Sequence, residues 1–403
     1  MAIVIGAIIG DIVGSRFEFN NHRNKEFALF TDASFVTDDS IMTLAVGKAL
    51  LETEKEVKIK NEDYYRLLEA NTIKHMQAIG RQYPDCGYGG RFSTWMFDDD
   101  PKPYNSYGNG AAMRVSPVAW VAQNEDEVKR LSFAVTKVTH NHPEGIKGAE
   151  AVALAIFLSK EGHHKRDIRT RIEQDYYTLD FMIDEIRDTY DFNETCQDTV
   201  PQALQAFFES KSFEDAIRTA ISVGGDSDTI AAITGSIAEA YYGVFRHFEE
   251  DALSYLDDYL RKHYDEWMKA IGHGGKKNPY HVVTKYIPLF KKRLHDAIHS
   301  VYDLPREYHD FFLELTSISD SNVSSAHHET LNKLGIQWRQ HDLENLDVQR
   351  LDEDDLIYIM RRLYSTERIH DGAMIHFIRE GYYATWLQRL EEIATQKMYG
   401  GKR

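Results

Sequence analysis

Gly224-Gly225-Asp226-Ser227-Asp228-Thr229 runs directly into IAAITGSIAEAYYG, residues 230–243. From 229 to 243 apolar and small residues recur at helical spacing, which predicts a helix. The residues before it form a glycine-rich turn carrying two acids at i, i+2 and a threonine. Near the other end of the chain, Thr37-Asp38-Asp39-Ser40 repeats that set of oxygen donors, again directly before an apolar helix over 40–51 (SIMTLAVGKALL). Residues 146–158 (IKGAEAVALAIFL), 201–208 and 213–222 show the same periodicity. Several of these helices are rich in Ala and Gly, which lets helix axes approach closely. With nine prolines in 403 residues, little strand-like alternation and no repeat, the reading is an all-α fold, a compact helical bundle.

The N-terminus supplies a packing device. Gly6, Gly10 and Gly14 recur every four residues in GAIIGDIVGSRFE. On a helix they make one smooth stripe for close contact with another helix, and Glu18 follows one turn beyond it. A break is expected at GHGGKKNP, residues 272–279. It divides a domain over 1–280 from a charge- and aromatic-rich helical domain over 285–403. The latter contains a polar loop at 318–328 and amphipathic helices over 353–364 and 381–397. The acids Asp352 to Asp355 open the first of these and complement its dipole.

Composition narrows the function. The net charge of −17 opposes nucleic-acid binding and suits a protein that holds divalent cations with carboxylates. Cys86 and Cys196 cannot make a disulfide framework or a four-cysteine zinc site. The apolar stretch Ala2–Ile9 is short, broken by Gly6 and followed by Asp11, so no signal peptide or membrane span is expected. The cytoplasm is the expected compartment.

Either acidic helix start alone reads as a capped helix, since Asp and Ser are preferred caps. Together they read differently. If the two starts meet, four carboxylates crowd at one point, and only cations between them relieve the repulsion. The pair therefore predicts a divalent site with room for two ions. Ser106-Tyr107-Gly108-Asn109-Gly110 reads either as an ordinary tight turn or as a nest of amides for phosphate oxygens. In Thr139-His140-Asn141-His142-Pro143, the His-Pro step reads as a helix entry.

Five segments in order (GAIIGDIVGSRFE, TDDSIM, SYGNGAAMRV, THNHPEGIKGAEAVA and GGDSDTIAAITG) resemble the ADP-ribosylglycohydrolase family. The resemblance covers residues 1 to about 245 and is carried by the set rather than by any one piece. It implies an all-α catalytic domain with a binuclear centre of two Mg²⁺ or Mn²⁺ ions held by Thr37, Asp38, Asp39, Asp226, Asp228 and Thr229. It places Glu18 beside the metals, the diphosphate on the turn Ser106, Tyr107, Gly108, Asn109 and Gly110 with Met113 following, and His140 near the adenosine half. Arg114 adds charge there if it points inward. The C-terminal domain departs from the family's core fold.

The implied activity is metal-dependent cleavage of the glycosidic bond between ADP-ribose and a protein side chain or small molecule, reversing ADP-ribosylation. Its transition state carries oxocarbenium character. Carboxylates stabilise that charge, and Glu18 or Asp39 takes the proton of the attacking water. Three rivals stand beside this reading. A metal-dependent phosphoesterase would release AMP. A module that only binds ADP-ribose, or one that only neutralises an ADP-ribosylating toxin, would not need every acid intact.

Overall fold

The computed structural model describes residues 4–271, 280–295, 298, 303–317, 340–367 and 373–399. The chain divides into two compact units, Met1–Lys276 and Lys277–Arg403. The expected break at 272–279 and the polar loop at 318–328 lie outside the described residues. Among the described residues there are helices and no β-strand; one isolated bridge joins Gly108 to Thr195.

The first unit contains α1 (Ile5–Gly14), α2 (Asp38–Glu56), α3 (Glu62–Gly80), α4 (Gly90–Phe97), α5 (Gly110–Met113), α6 (Ser116–Val121), α7 (Glu125–Thr136) and α8 (Pro143–Lys160). These are followed by α9 (Lys165–Asp175), α10 (Ile183–Ile186), α11 (Cys196–Glu209), α12 (Phe213–Ile221), α13 (Ser227–Tyr242), α14 (Arg246–Leu253) and α15 (Asp258–Ile271). The helices read at 40–51, 146–158, 201–208, 213–222 and 229–243 correspond to α2, α8, α11, α12 and α13.

Every residue of α13 from Ser227 to Tyr241 is buried. The glycine stripe explains how α1 reaches it. A Cβ on Gly6 would lie 2.2 Å from the Gly235 carbonyl oxygen, and one on Gly10 2.1 Å from that of Ala231. On Gly14 it would lie 2.4 Å from the Asp228 Cα. All three distances are far inside van der Waals contact, so the helices meet backbone to backbone. Partner numbers fall along α13 as they rise along α1, so the helices are antiparallel. The end of α1 therefore sits over the acidic start of α13. At the far end, Glu239 Oε2 accepts from the Gly6 N–H at 2.9 Å and satisfies one orphan donor of α1. Burial pushes this acid up to about 8.

The second unit packs Arg306–Ser317, Glu353–Glu367 and Tyr382–Tyr399 around an aromatic core. The Phe290 ring lies edge-on to Phe311 at 4.6 Å and stacks on Tyr383 at 5.3 Å. Leu356, Ile359, Met360 and Leu363 are buried, as are Trp386, Leu387 and Leu390. The Tyr383 hydroxyl donates to the Met360 carbonyl at 3.1 Å, tying together the two amphipathic helices. Among the described residues no helix is long and apolar enough to cross a membrane.

Gly10→Ala should destabilise the chain by more than about 2 kcal/mol, because a methyl there meets backbone that cannot rotate away. A urea midpoint unchanged from wild type would show that α1 does not need this close approach.

Candidate active site

The site is assembled from helix ends. Asp11 is fully buried on α1. Its carboxylate accepts from the Thr37 N–H at 3.2 and 3.1 Å, from Thr37 Oγ1 at 2.6 Å and from the Ser40 N–H at 3.1 Å. This network holds the start of α2 against α1. Thr37 caps α2, accepting from the Asp39 N–H at 3.4 Å, and Asp38 and Asp39 occupy the first turn.

The start of α13 departs from ordinary capping. Asp226 takes the cap position, yet its side chain makes no cap bond. Its Oδ2 accepts instead from Asn109 Nδ2 at 2.6 Å, and the same amide group donates to Thr199 Oγ1 at 3.1 Å. A capped helix therefore does not account for this acid. The preceding turn needs glycine: Gly224 and Gly225 have φ of 78° and 70°, the left-handed region. A Cβ on Gly225 would also strike the Tyr190 ring at 2.5 Å, and the Gly225 N–H donates to Asn21 Oδ1 at 2.7 Å.

The two acidic starts do meet. Thr229 Oγ1 donates to Asp39 Oδ2 at 3.3 Å. Ligand-capable oxygens of Glu18, Asp226 and Asp228 lie within 4.8 Å of one another. Burial is the largest influence on each acid, and for Glu18, Asp38, Asp39, Asp226 and Asp228 neighbouring carboxylates reinforce it. Asp38, Asp39 and Asp228 are pushed well above the usual carboxylate range. Glu18 rises to about 8 through burial, then Asp228, Asp11 and Glu194. Asp226 rises to about 6 despite the bond from Asn109, and Asp11 to about 6 despite those from Thr37 and Ser40. Asp39 Oδ1 is buried with no hydrogen-bond partner. An orphaned carboxylate oxygen among mutually repelling acids is the donor set a hard divalent cation requires, so these residues fit one.

A cavity of about 240 Å³ opens on this cluster. Glu18, Asp38, Asp39, Asp226, Asp228 and Thr229 line it. Ser106, Gly108, Asn109, Gly110, Met113 and His140 share the same wall. Thr37 and Tyr107 do not line it. Thr37 is buried against Asp11, and Tyr107 is 44% exposed with its ring 5.1 Å from that of His142.

The glycine turn corrects the reading of an open amide nest. The Gly108 N–H donates to Ser106 Oγ at 3.2 Å and the Asn109 N–H to the Glu194 carbonyl at 2.7 Å. Of the three amides, Gly110's is the one without a partner among the described residues. Gly108 and Gly110 are also not left-handed. They provide room: a Cβ on Gly110 would stand 3.6 Å from His140 Nε2, and one on Gly108 3.5 Å from it. The turn is pinned from behind by Cys196, whose N–H donates to the Tyr107 carbonyl at 2.9 Å and whose Sγ donates to that of Gly108 at 3.2 Å.

Sequence reasoning passed over Asp11 as a site residue; its signal was an acid inside an apolar glycine stripe. Glu194 and Arg91, which also line the cavity, lie in segments with no motif.

An all-α unit with an acidic centre between two helix starts defines a class of fold and site. Residues 1–278 match the sequence profile of the ADP-ribosylglycohydrolase family. The chain belongs to that family. It is similar to ADP-ribosylhydrolase ARH3 of Homo sapiens, 25% identical over 315 residues, covering 59% of this chain and 84% of that protein. It is also similar to ADP-ribosylarginine hydrolase Tri1 of Pseudomonas putida, 26% identical over 266 residues, covering 60% and 70%. A solved ADP-ribosylglycohydrolase-related protein complex superposes with a TM-score of 0.50 at 21% identity, covering 67% of this chain and 95% of that one. At that identity the likeness bears on fold alone.

The raised acids set a pH dependence. Their folded values stand above the unfolded value near 4, so the folded chain binds more protons than the unfolded one. Without cations, stability should fall as pH rises from about 4 to about 8, through the values cited for Asp11, Asp226 and Glu18. Melting curves in EDTA across that range measure it, and added Mg²⁺ should restore stability most at the upper end. A Tm that climbs with pH in EDTA would contradict the electrostatics described above.

Proposed function

We propose that the chain hydrolyses the glycosidic bond joining ADP-ribose to an acceptor, a protein side chain or small molecule, with two divalent cations, Mg²⁺ or Mn²⁺, as cofactor. The carrying observation is that Glu18, Asp226 and Asp228 converge within 4.8 Å at a cavity that also contains the Gly108–Gly110 turn and His140. Family membership and the names of the two relatives support the same reaction.

Asp38, Asp39, Asp226, Asp228 and Thr229 are the residues that would hold the cations, with Thr37 behind them orienting the α2 start through Asp11. When bound, divalent cations would supply positive charge that keeps these acids ionised and attracts the oxygens of a sugar. Ionised carboxylates around the anomeric carbon stabilise the positive charge that develops as the acceptor leaves. Water must then lose a proton. Glu18 is half-buried on the cavity wall, whereas Asp39 is 2% exposed and bonded to Thr229. Access to solvent favours Glu18 as the base and Asp39 as a cation holder. Asn109 fixes Asp226 from the side of the nucleotide-binding turn.

Asp38→Asn and Asp228→Asn should each reduce ADP-ribose release by more than about a thousandfold, the scale of losing an essential electrostatic group. EDTA should do the same to wild type and Mg²⁺ or Mn²⁺ should reverse it. Assays on arginine-, serine- and small-molecule-linked ADP-ribose identify the acceptor. Full turnover in EDTA, or AMP as the product, would refute the reading.

The second unit is proposed to supply no catalytic group and to dock a target protein or second subunit. A chain ending at Lys276 should keep its kcat on a small conjugate. Folded protein with kcat lowered more than about tenfold would place a catalytic contribution beyond that residue.

A further inference from the structure

Arg114 is 2% exposed and forms part of the cavity wall. Among the described residues no carboxylate forms an ion pair with it, and its Nε has no hydrogen-bond partner. Burial lowers it only to about 10, so it is a cation at neutral pH. Nη2 donates to Thr139 Oγ1 at 2.6 Å and to His140 Nδ1 at 3.3 Å. Thr139 Oγ1 lies 2.7 Å from the same Nδ1.

These contacts determine where the imidazole proton resides. A guanidinium only donates, so the nitrogen facing it must offer a lone pair. The Thr139 hydroxyl accepts from Arg114 and can turn its own hydrogen to that lone pair. With Nδ1 accepting in this way, the proton falls on Nε2. The charged and titratable groups facing the ring are Arg114, Arg91 and Tyr104, whose ring centroid is 6.0 Å away. With burial, the two arginines hold His140 well below the usual histidine range, and it is neutral. Nε2 faces the space that Gly108 and Gly110 leave clear.

We infer that Arg114 is a positioning residue that, with Thr139, fixes His140 as the Nε2–H tautomer, so that His140 Nε2–H and the Gly110 N–H together receive an oxygen of a diphosphate whose charge balances the buried guanidinium. The inference rests on the cavity being an ADP-ribose site. The guanidinium feels the Asp38 carboxylate and lies over the Phe92 ring, but no acid pairs with it directly, so an anion in the cavity adds a charge-assisted partner. Because the histidine donates while neutral, the contact does not depend on its protonation. It also replaces the amide cradle, since two of the three turn amides are already engaged.

The test uses full-length protein with ¹⁵N-labelled histidine and no ligand, with His140→Gln to assign the signal. His140 should be the neutral Nε2–H tautomer from about pH 5.5 to about 8, the range in which an unperturbed histidine titrates. Arg114→Met should shift it toward a tautomer mixture. In calorimetric titrations the same variant should weaken ADP at least about tenfold, the size of one lost charge-assisted hydrogen bond. Adenosine, which lacks the anion, should change less than about twofold. A proton on Nδ1 or a protonated ring in wild type would overturn the inference without any variant being needed. Equal losses for ADP and adenosine would overturn it as well. Wild type that binds neither ADP-ribose nor ADP would instead refute the ADP-ribose reading and, with it, the diphosphate partner assigned here.

Discussion

Backbone contact between α1 and α13 is the constraint on which the site depends. Three glycines on α1 bring it so close that added methyls would lie 2.1–2.4 Å from α13 backbone atoms. The antiparallel arrangement sets the end of one helix over the start of the other. Glu18 is thereby delivered to Asp226 and Asp228, and Asp11 is placed where it can hold the Thr37–Ser40 turn. A larger residue in the stripe would separate the helices and with them the acids. A packing rule on one helix face thus becomes a rule about the distance between carboxylates.

That arrangement opposes stability locally. Two unit charges 4 Å apart repel by about 4 kcal/mol at an effective dielectric of 20, and several such pairs crowd here. The chain tolerates this because the surrounding helices are buried on nearly every face, as α13 shows. Burial and mutual repulsion raise the proton affinity of its carboxylates. The fold does not neutralise the cluster with its own basic residues. Arg114 lines the same cavity but is engaged with Thr139 and His140 rather than with an acid.

Helices were legible in the sequence because their apolar periodicity is the packing itself, as in α2, α8 and α13. The acidic starts were legible as a pair because the same donor types recur before two apolar helices, although neither betrayed that Asp226 leaves its cap unmade. Asp11 was not, since an acid in an apolar stripe has no local meaning until another helix start lies beside it. How far the turn amides are open was not legible, for a related reason. Glycine spacing reports backbone freedom, but whether an amide is available depends on distant groups such as the Glu194 carbonyl. Tyr107 sits within the motif while its ring turns to His142, because a turn alternates the directions of its side chains.

Several local departures of the first unit gather at one cavity. Helices are capped by Thr37, Asn61, Asn124 and Ser212, as side-chain chemistry dictates. Three of the departures are Asp226 at a cap position without capping, Asp39 with an orphaned oxygen, and Arg114 buried with its Nε unpartnered. Each alone could be a tolerated defect of a large core. All three line one cavity, and two are acids while the third is a base. A ligand that satisfied only the acids would leave the guanidinium without a direct anionic partner, and a simple anion would leave the acids repelling. Cations on the acids together with an extended anionic ligand beside the guanidinium would satisfy the set, as the proposed ADP-ribose and divalent ions do.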